Sequence, residues 1–213
     1  MFNPLYILAG ILLVVIYRKR IVNDWRFFKT DRPGWLHDKW ENWVKPLFVA
    51  AVLAIGIRTF LFGPYKIPTG SMRPVLMEGD RIFVDKISYR FYGPQRGDIV
   101  VFKYPLDPKK DFVKRLVAFG GEDVEVRDGN VYIDAKKLEA PDLFQSRYYY
   151  NRNDWNYGKE GAHYRIPDGT LFVLGDNSAH SSDSRNWGFV PRKDIIGRAV
   201  VVWWPLKRIG SIK

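Results

Sequence analysis

The 213-residue chain contains no cysteine. That absence excludes a disulfide framework, a cysteine-ligated zinc site, a thiolate nucleophile and dithiol redox chemistry, and it leaves the redox compartment open. Histidine is nearly as scarce, with three residues. None stands with Asp or Glu at a spacing that holds a metal, so no metal or cofactor is expected. There is no nucleotide-binding glycine loop, no internal repeat and no low-complexity tract. The length leaves no room for several large domains, and 46% hydrophobic with 27% charged residues excludes a disordered or collagen-like polymer.

Acidic residues are in deficit: 34 Lys and Arg face 23 Asp and Glu, a net charge of +11. Such an excess suits phosphate, on nucleic acid or on anionic lipid, and its position along the chain decides between them. Residues 1–17 are uncharged and stop at Arg18-Lys19-Arg20. The inner 13 residues, Leu5–Tyr17, would span only ~20 Å as a helix, against a hydrocarbon core of roughly 30 Å. The full 17, with aromatic and basic ends at the interface, are long enough to cross. The positive charges follow the apolar stretch and no small-residue cleavage site comes after it, which argues against a secretory leader.

A second 17-residue apolar run covers residues 46–62, with Trp43 before it, Tyr65 after it, and Arg58 placed near its end to snorkel. Between the runs, residues 18–45 carry eight Lys/Arg against four Asp/Glu, which predicts a basic loop on the cytoplasmic side. Everything after residue 62 is then expected outside. There, 25 Lys/Arg against 19 Asp/Glu, without long basic runs, fit a surface near anionic lipid and no nucleic acid.

Residues 63–213 read as short strands: 81–86, 98–104, 112–118, 123–127, 130–134, 170–174 and 198–203, punctuated by Gly93-Pro94, Gly120-Gly121, Asp128-Gly129 and Asp168-Gly169. With no convincing long helix among them, the expected fold is mainly β, an antiparallel catalytic domain behind two N-terminal transmembrane helices. Residues 139–165 break the rhythm and read as an irregular insertion.

Three stretches carry candidate chemistry. In Ile67-Pro-Thr-Gly-Ser-Met-Arg-Pro74, two prolines and a glycine fix the backbone around Ser71, which presents a hydroxyl and an N–H in set directions. A serine needs a base to become a nucleophile. His37 lies in the basic loop, leaving His163, His180 or a lysine. In Phe112-Val-Lys-Arg-Leu-Val117 the two-residue period puts Lys114 on the face of Phe112 and Leu116, where an ammonium loses its proton more easily. An edge-strand lysine that blocks aggregation would give the same pattern. Third, Gly175–Pro191 is dense in small polar groups, with Ser181 available to orient a lysine and Asp183 to pair with Arg185.

In order after two apolar runs stand Pro68-Thr-Gly-Ser-Met-Arg-Pro74, Gly79-Asp80, Arg96-Gly-Asp-Ile-Val-Val-Phe102, Lys114-Arg115 and Gly175-Asp-Asn-Ser with Ser-Asp-Ser-Arg185. This ordered set resembles the type I (leader) signal peptidases. The resemblance implies a membrane-bound serine endopeptidase of the bacterial inner membrane, its catalytic domain on the outer face. Its implied partners are the membrane and exported pre-proteins, cleaved after small-x-small sequences. It further implies Ser71 as nucleophile, Lys114 as general base, and Ser181 as the residue orienting that base. The Ser71 N–H and Thr69 hydroxyl map onto the family's oxyanion hole, and Ile67, Pro68, Ile82, Phe112 and Val113 onto its substrate pockets. Ala118-Phe-Gly-Gly-Glu122 departs from the Gly-x-Pro-Gly-Asp usual after the lysine.

Overall fold

The computed structural model describes residues 17–18, 22–56, 62–139, 142–144 and 146–212. The chain divides into two compact units, Met1–Gly56 and Ile57–Lys213.

In the first unit, residues 22–30 are helical. Helix α1 (Arg32–Lys39) starts where the Asp31 carboxylate accepts from the Gly34 N–H and Pro33 occupies the first turn. It continues through a π-helical turn, Trp40–Val44, into α2 (Lys45–Gly56). The basic segment 18–45, expected as a loop, is therefore helical over its described residues from 22 onward, apart from Asp31 itself. Among the described residues no helix is long and apolar enough to cross a membrane. The first expected span, residues 1–17, lies outside the described residues except for Tyr17. Of the second, 46–56 form most of α2, which has no buried residue, 57–61 are not described, and position 62 already opens a strand.

The second unit is mainly β, with only single-turn helices between strands among its described residues. The larger sheet runs β1 (Phe62–Lys66), β2 (Arg81–Asp85), β11 (Ile195–Trp204), β3 (Ile99–Tyr104), β4 (Asp107–Phe119), β9 (Thr170–Leu174), β10 (Val190–Pro191), with β12 (Gly210–Ser211) also on β11. The smaller sheet runs β7 (Lys136–Lys137), β6 (Asn130–Ile133), β5 (Asp123–Arg127), β8 (His163–Arg165). Neighbouring strands pair antiparallel, as expected for this fold class.

Alternation explains how the large sheet buries both faces. Ile99 and Val101 of β3 join one cluster with Ile67, Met72, Ile82 and Val84, while Val100 and Phe102 join another with Leu116 and Val173. A third cluster joins Val117 and Phe172 of the large sheet to Val124 and Val126 of the small one. Phe144 and Tyr149, from the irregular stretch 139–165, complete that cluster. At Gly197, close approach requires glycine, because a Cβ there would sit 2.2 Å from the Asp85 carbonyl oxygen.

Two fully buried ion pairs hold the loop after β9. Arg115 grips Asp176 with both Nε and Nη2 at 2.7 Å, and Arg147 adds a third contact at 3.1 Å. Arg185 grips Asp183 through Nε at 2.8 Å and Nη2 at 2.7 Å, and donates to Ser178 Oγ at 2.6 Å. Breaking one partner of such a pair leaves an uncompensated buried charge. Chemical denaturation of the full chain in detergent should therefore show Asp176→Ala losing about 3–5 kcal/mol. Arg165→Ala, which breaks only the exposed Arg165–Asp123 pair, should lose less than about 1 kcal/mol.

Candidate active site

The serine is presented by a short 3-10 turn, Gly70–Met72, that follows the extended segment leaving β1. Three anchors fix it. Met72 plunges into the core. Ile67 donates to the Asp80 carbonyl at 2.8 Å and accepts from the Gly79 N–H at 2.9 Å. Asp80 is itself buried and receives the Met77 N–H and the Arg208 guanidinium, and Gly79 has φ +89, open to glycine at little cost. On the other side, Asn177 donates its backbone N–H to the Ser71 carbonyl and its Nδ2 to the Gly70 carbonyl, both at 3.0 Å. The loop held by the buried ion pairs thus clamps the turn carrying Ser71.

Lys114 arrives from β4, opposite Val100 of β3. Its Nζ lies 2.6 Å from Ser71 Oγ, and both residues are buried. The neighbouring side chain, Arg115, turns the other way to Asp176, as strand alternation demands. Burial pulls the Lys114 ammonium down to about 8, the carboxylates of Asp183 and Asp176 oppose that fall, and Arg185 adds to it. The Phe112 ring stands 5.6 Å from Nζ. A buried lysine titrating there is partly neutral near pH 7, so at this distance it is able to take a proton from the serine hydroxyl.

Neither histidine offers an alternative. His180 is exposed, with no hydrogen bond to Ser71, and His163 lies on β8 of the small sheet, its Nδ1 3.8 Å from Glu125 Oε2. Among the described residues no group of three or more His, Asp or Glu is placed to hold a metal.

Ser71 opens onto a groove with a cavity of ≈ 130 Å³ between two stretches of strand, lined by Tyr65–Thr69 on one side and Asp111–Lys114 on the other. Ile67, Pro68, Phe112 and Val113 are in its walls, as the sequence suggested. Ile82 is not: its side chain is fully buried in the core behind the groove, beside Ile67 and Met72. Thr69 is exposed beside Ser71, and its side chain makes no capping bond to the turn it precedes. Ser181 is buried next to the Cα of Gly175, where a Cβ would collide with its Oγ at 2.0 Å. That Oγ has no hydrogen-bond partner, so the bond to Lys114 expected from the motif is not formed in this structure. Asp183 pairs with Arg185.

Sequence reasoning missed Asp176 and Asn177, although both lie inside the polar loop it singled out. It also missed Tyr65, Lys66 and Asp111, which line the groove. Tyr65 adjoins the serine motif, but nothing in the pattern around Asp111 signals the groove.

The family described as signal peptidase, peptidase S26, matches residues 40–204. A probable signal peptidase I-2 of Synechocystis sp. is 41% identical over 179 residues, covering 81% of this chain and 77% of that protein. A signal peptidase I of Leptolyngbya laminosa is 41% identical, covering 79% and 82%. A signal peptidase I P of Bacillus subtilis subsp. natto is 34% identical, covering 81% and 93%. On these matches the chain belongs to the signal peptidase family, peptidase S26, as a type I signal peptidase: a serine hydrolase that cleaves signal peptides from pre-proteins.

Proposed function

We propose that the chain cleaves pre-proteins through a serine–lysine dyad, with Ser71 as nucleophile and Lys114 as general base. The observation that carries this reading is the 2.6 Å approach of Lys114 Nζ to Ser71 Oγ inside a buried site. Neutral Lys114 takes the hydroxyl proton as Oγ attacks the scissile carbonyl, and the resulting ammonium returns it to the departing amine, leaving an acyl enzyme. A water then repeats the cycle with the same base. The Ser71 N–H and the Thr69 hydroxyl are the proposed donors to the oxyanion. Ser181 is the proposed positioning residue for the lysine, its unpartnered Oγ buried against Gly175, which also closely approaches the Ser71 carbonyl.

The groove suits an extended peptide. β1 is the end strand of its sheet, and residues 111–114 of β4 pair with β3 on one side while β9 engages β4 only from Arg115 onward. Two strand edges are thus open to main-chain bonding, the mode of recognition by strand addition. Shallow apolar walls at Ile67, Phe112 and Val113 favour small side chains, consistent with cleavage after small-x-small sequences. Residues 1–17 and 46–61 are the proposed membrane spans, the second ending where β1 begins at Phe62. The basic segment between them is on the cytoplasmic side and the β unit on the outer face of a bacterial cytoplasmic membrane. The exposure of Leu47, Phe48, Leu53 and Ile55 along α2 fits a lipid-facing helix.

Ser71→Ala and Lys114→Met should each abolish cleavage of a purified pre-protein in detergent while leaving the circular dichroism spectrum unchanged; residual turnover in both would contradict the dyad. Because Lys114 titrates near 8, well below an ordinary lysine, only roughly a tenth of it is neutral at pH 7. Wild-type kcat/KM should rise about tenfold per pH unit on the acid side and level off above pH ~8. Thr69→Val should cost about 10²–10³ in kcat, and Thr69→Ser should restore most of it. Alkaline extraction should leave the full chain in the membrane pellet, with added protease reaching the β unit only from the outer face.

A further inference from the structure

The second unit carries another cavity, larger than the groove and sharing no residue with it. It has a volume of ≈ 260 Å³ and opens where β2 ends and β11 begins. Three cationic side chains line it, Lys86, Arg90 and Arg192, and no carboxylate does. Tyr89 and Ile195 form part of its uncharged wall.

Two of the acids nearest in sequence are already committed. Asp85 accepts the Ile87 N–H, the Ser88 N–H and the Ser88 hydroxyl. Asp98 accepts the Tyr89 hydroxyl and the Gln95 N–H, and Arg198 stands 3.1 Å from it. Asp194, on the turn that carries Arg192, is not part of the lining. Arg90 and Arg192 make no side-chain hydrogen bond or ion pair with a described residue. Arg192 also lies across Gly93, whose Cα stands where any Cβ would come within 2.8 Å of Nη2. Gly93 has φ +68, so glycine both permits the turn and leaves the guanidinium its place.

Arg90 and Arg192 are both exposed at this concave site and no carboxylate shares its lining, so the local field attracts an anion. Guanidinium forks match a tetrahedral oxyanion through paired N–H donors. We propose that this cavity is a phosphate-binding site, filled by the phosphate of an anionic lipid headgroup or by free phosphate. The lipid source has a connection in the chain itself: Lys86, at the cavity, packs its Cε and Nζ over Gly63, the residue after the second apolar run ends. The site does not depend on the chemistry of Ser71 and Lys114.

The test uses the full chain in maltoside micelles, wild type and the double variant Arg90→Gln/Arg192→Gln. Inorganic phosphate is titrated by calorimetry at two salt concentrations. In parallel, native mass spectrometry counts retained phosphatidylglycerol against a neutral glycolipid. The expected result is that the wild type binds at least one of these probes, more weakly at higher salt, and that the double variant binds it at least tenfold more weakly. The double variant and the wild type should melt at the same temperature and cleave pre-protein equally well, because neither arginine lines the groove. Selective retention of phosphatidylglycerol without binding of free phosphate assigns the site to headgroups. Binding of phosphate without lipid selectivity assigns it to the soluble ion. Failure of the wild type to bind either probe, or equal binding by the double variant, overturns the proposal.

Discussion

The burial of one lysine sets the terms for the rest of the second unit. An ammonium taken out of water loses far more solvation than a single hydroxyl contact returns, so its proton is held weakly. Lys114 can remain in that position only because the strand carrying it is locked on both sides. β3 pairs along its length, β9 pairs just beyond it, and apolar layers fill the two faces of the sheet. The carboxylates that could neutralise it electrostatically are occupied elsewhere, Asp176 by Arg115 and Arg147, Asp183 by Arg185. They temper the lysine's fall without forming a salt bridge to it.

The same arrangement positions the serine. Arg115 and Lys114 are successive residues pointing to opposite sides of β4, so one strand delivers the proposed base to the Ser71 hydroxyl and a structural cation to the loop that clamps the serine turn. Asn177 then ties that loop to the carbonyls of Gly70 and Ser71. The buried ion pairs and the serine turn share these contacts, so a lesion in the ion pairs would loosen the site even though none of their residues lines the groove.

Much of the β architecture was legible because the central strands are short apolar runs rich in β-branched and aromatic residues, punctuated by glycine-bearing turns. The seven segments read as strands overlap β2, β3, β4, β5, β6, β9 and β11, with β4 and β11 longer than expected. The shorter pieces, β7, β8, β10 and β12, have two or three residues each, too few for a period to register. β1 was hidden because Phe62 continues an apolar run, and Gly63-Pro64 looks like a turn. The helical character of the basic segment was masked by its charge, although Asp31 and Pro33 together carry a helix-start signal. At the site, the meeting of Ser71 with Lys114 was legible from the motif order, whereas Ile82, expected in the groove, is not among the residues that line it. Motif position says that it is near the groove, but only packing says that it faces the core beneath. The Arg115–Asp176 pair spans 61 residues, and no local pattern encodes a partner at that distance.

The most direct test of this account is the titration of Lys114 itself. Full-length protein carrying Ser71→Ala and ¹³C at the lysine Cε positions would be followed by NMR across pH in detergent, with Lys114→Met assigning the resonance. A single Cε signal with a midpoint near 8, absent from the Lys114→Met spectrum, is the predicted result. A midpoint near the ordinary lysine value of ~10.4 would contradict a neutral general base at the heart of the site.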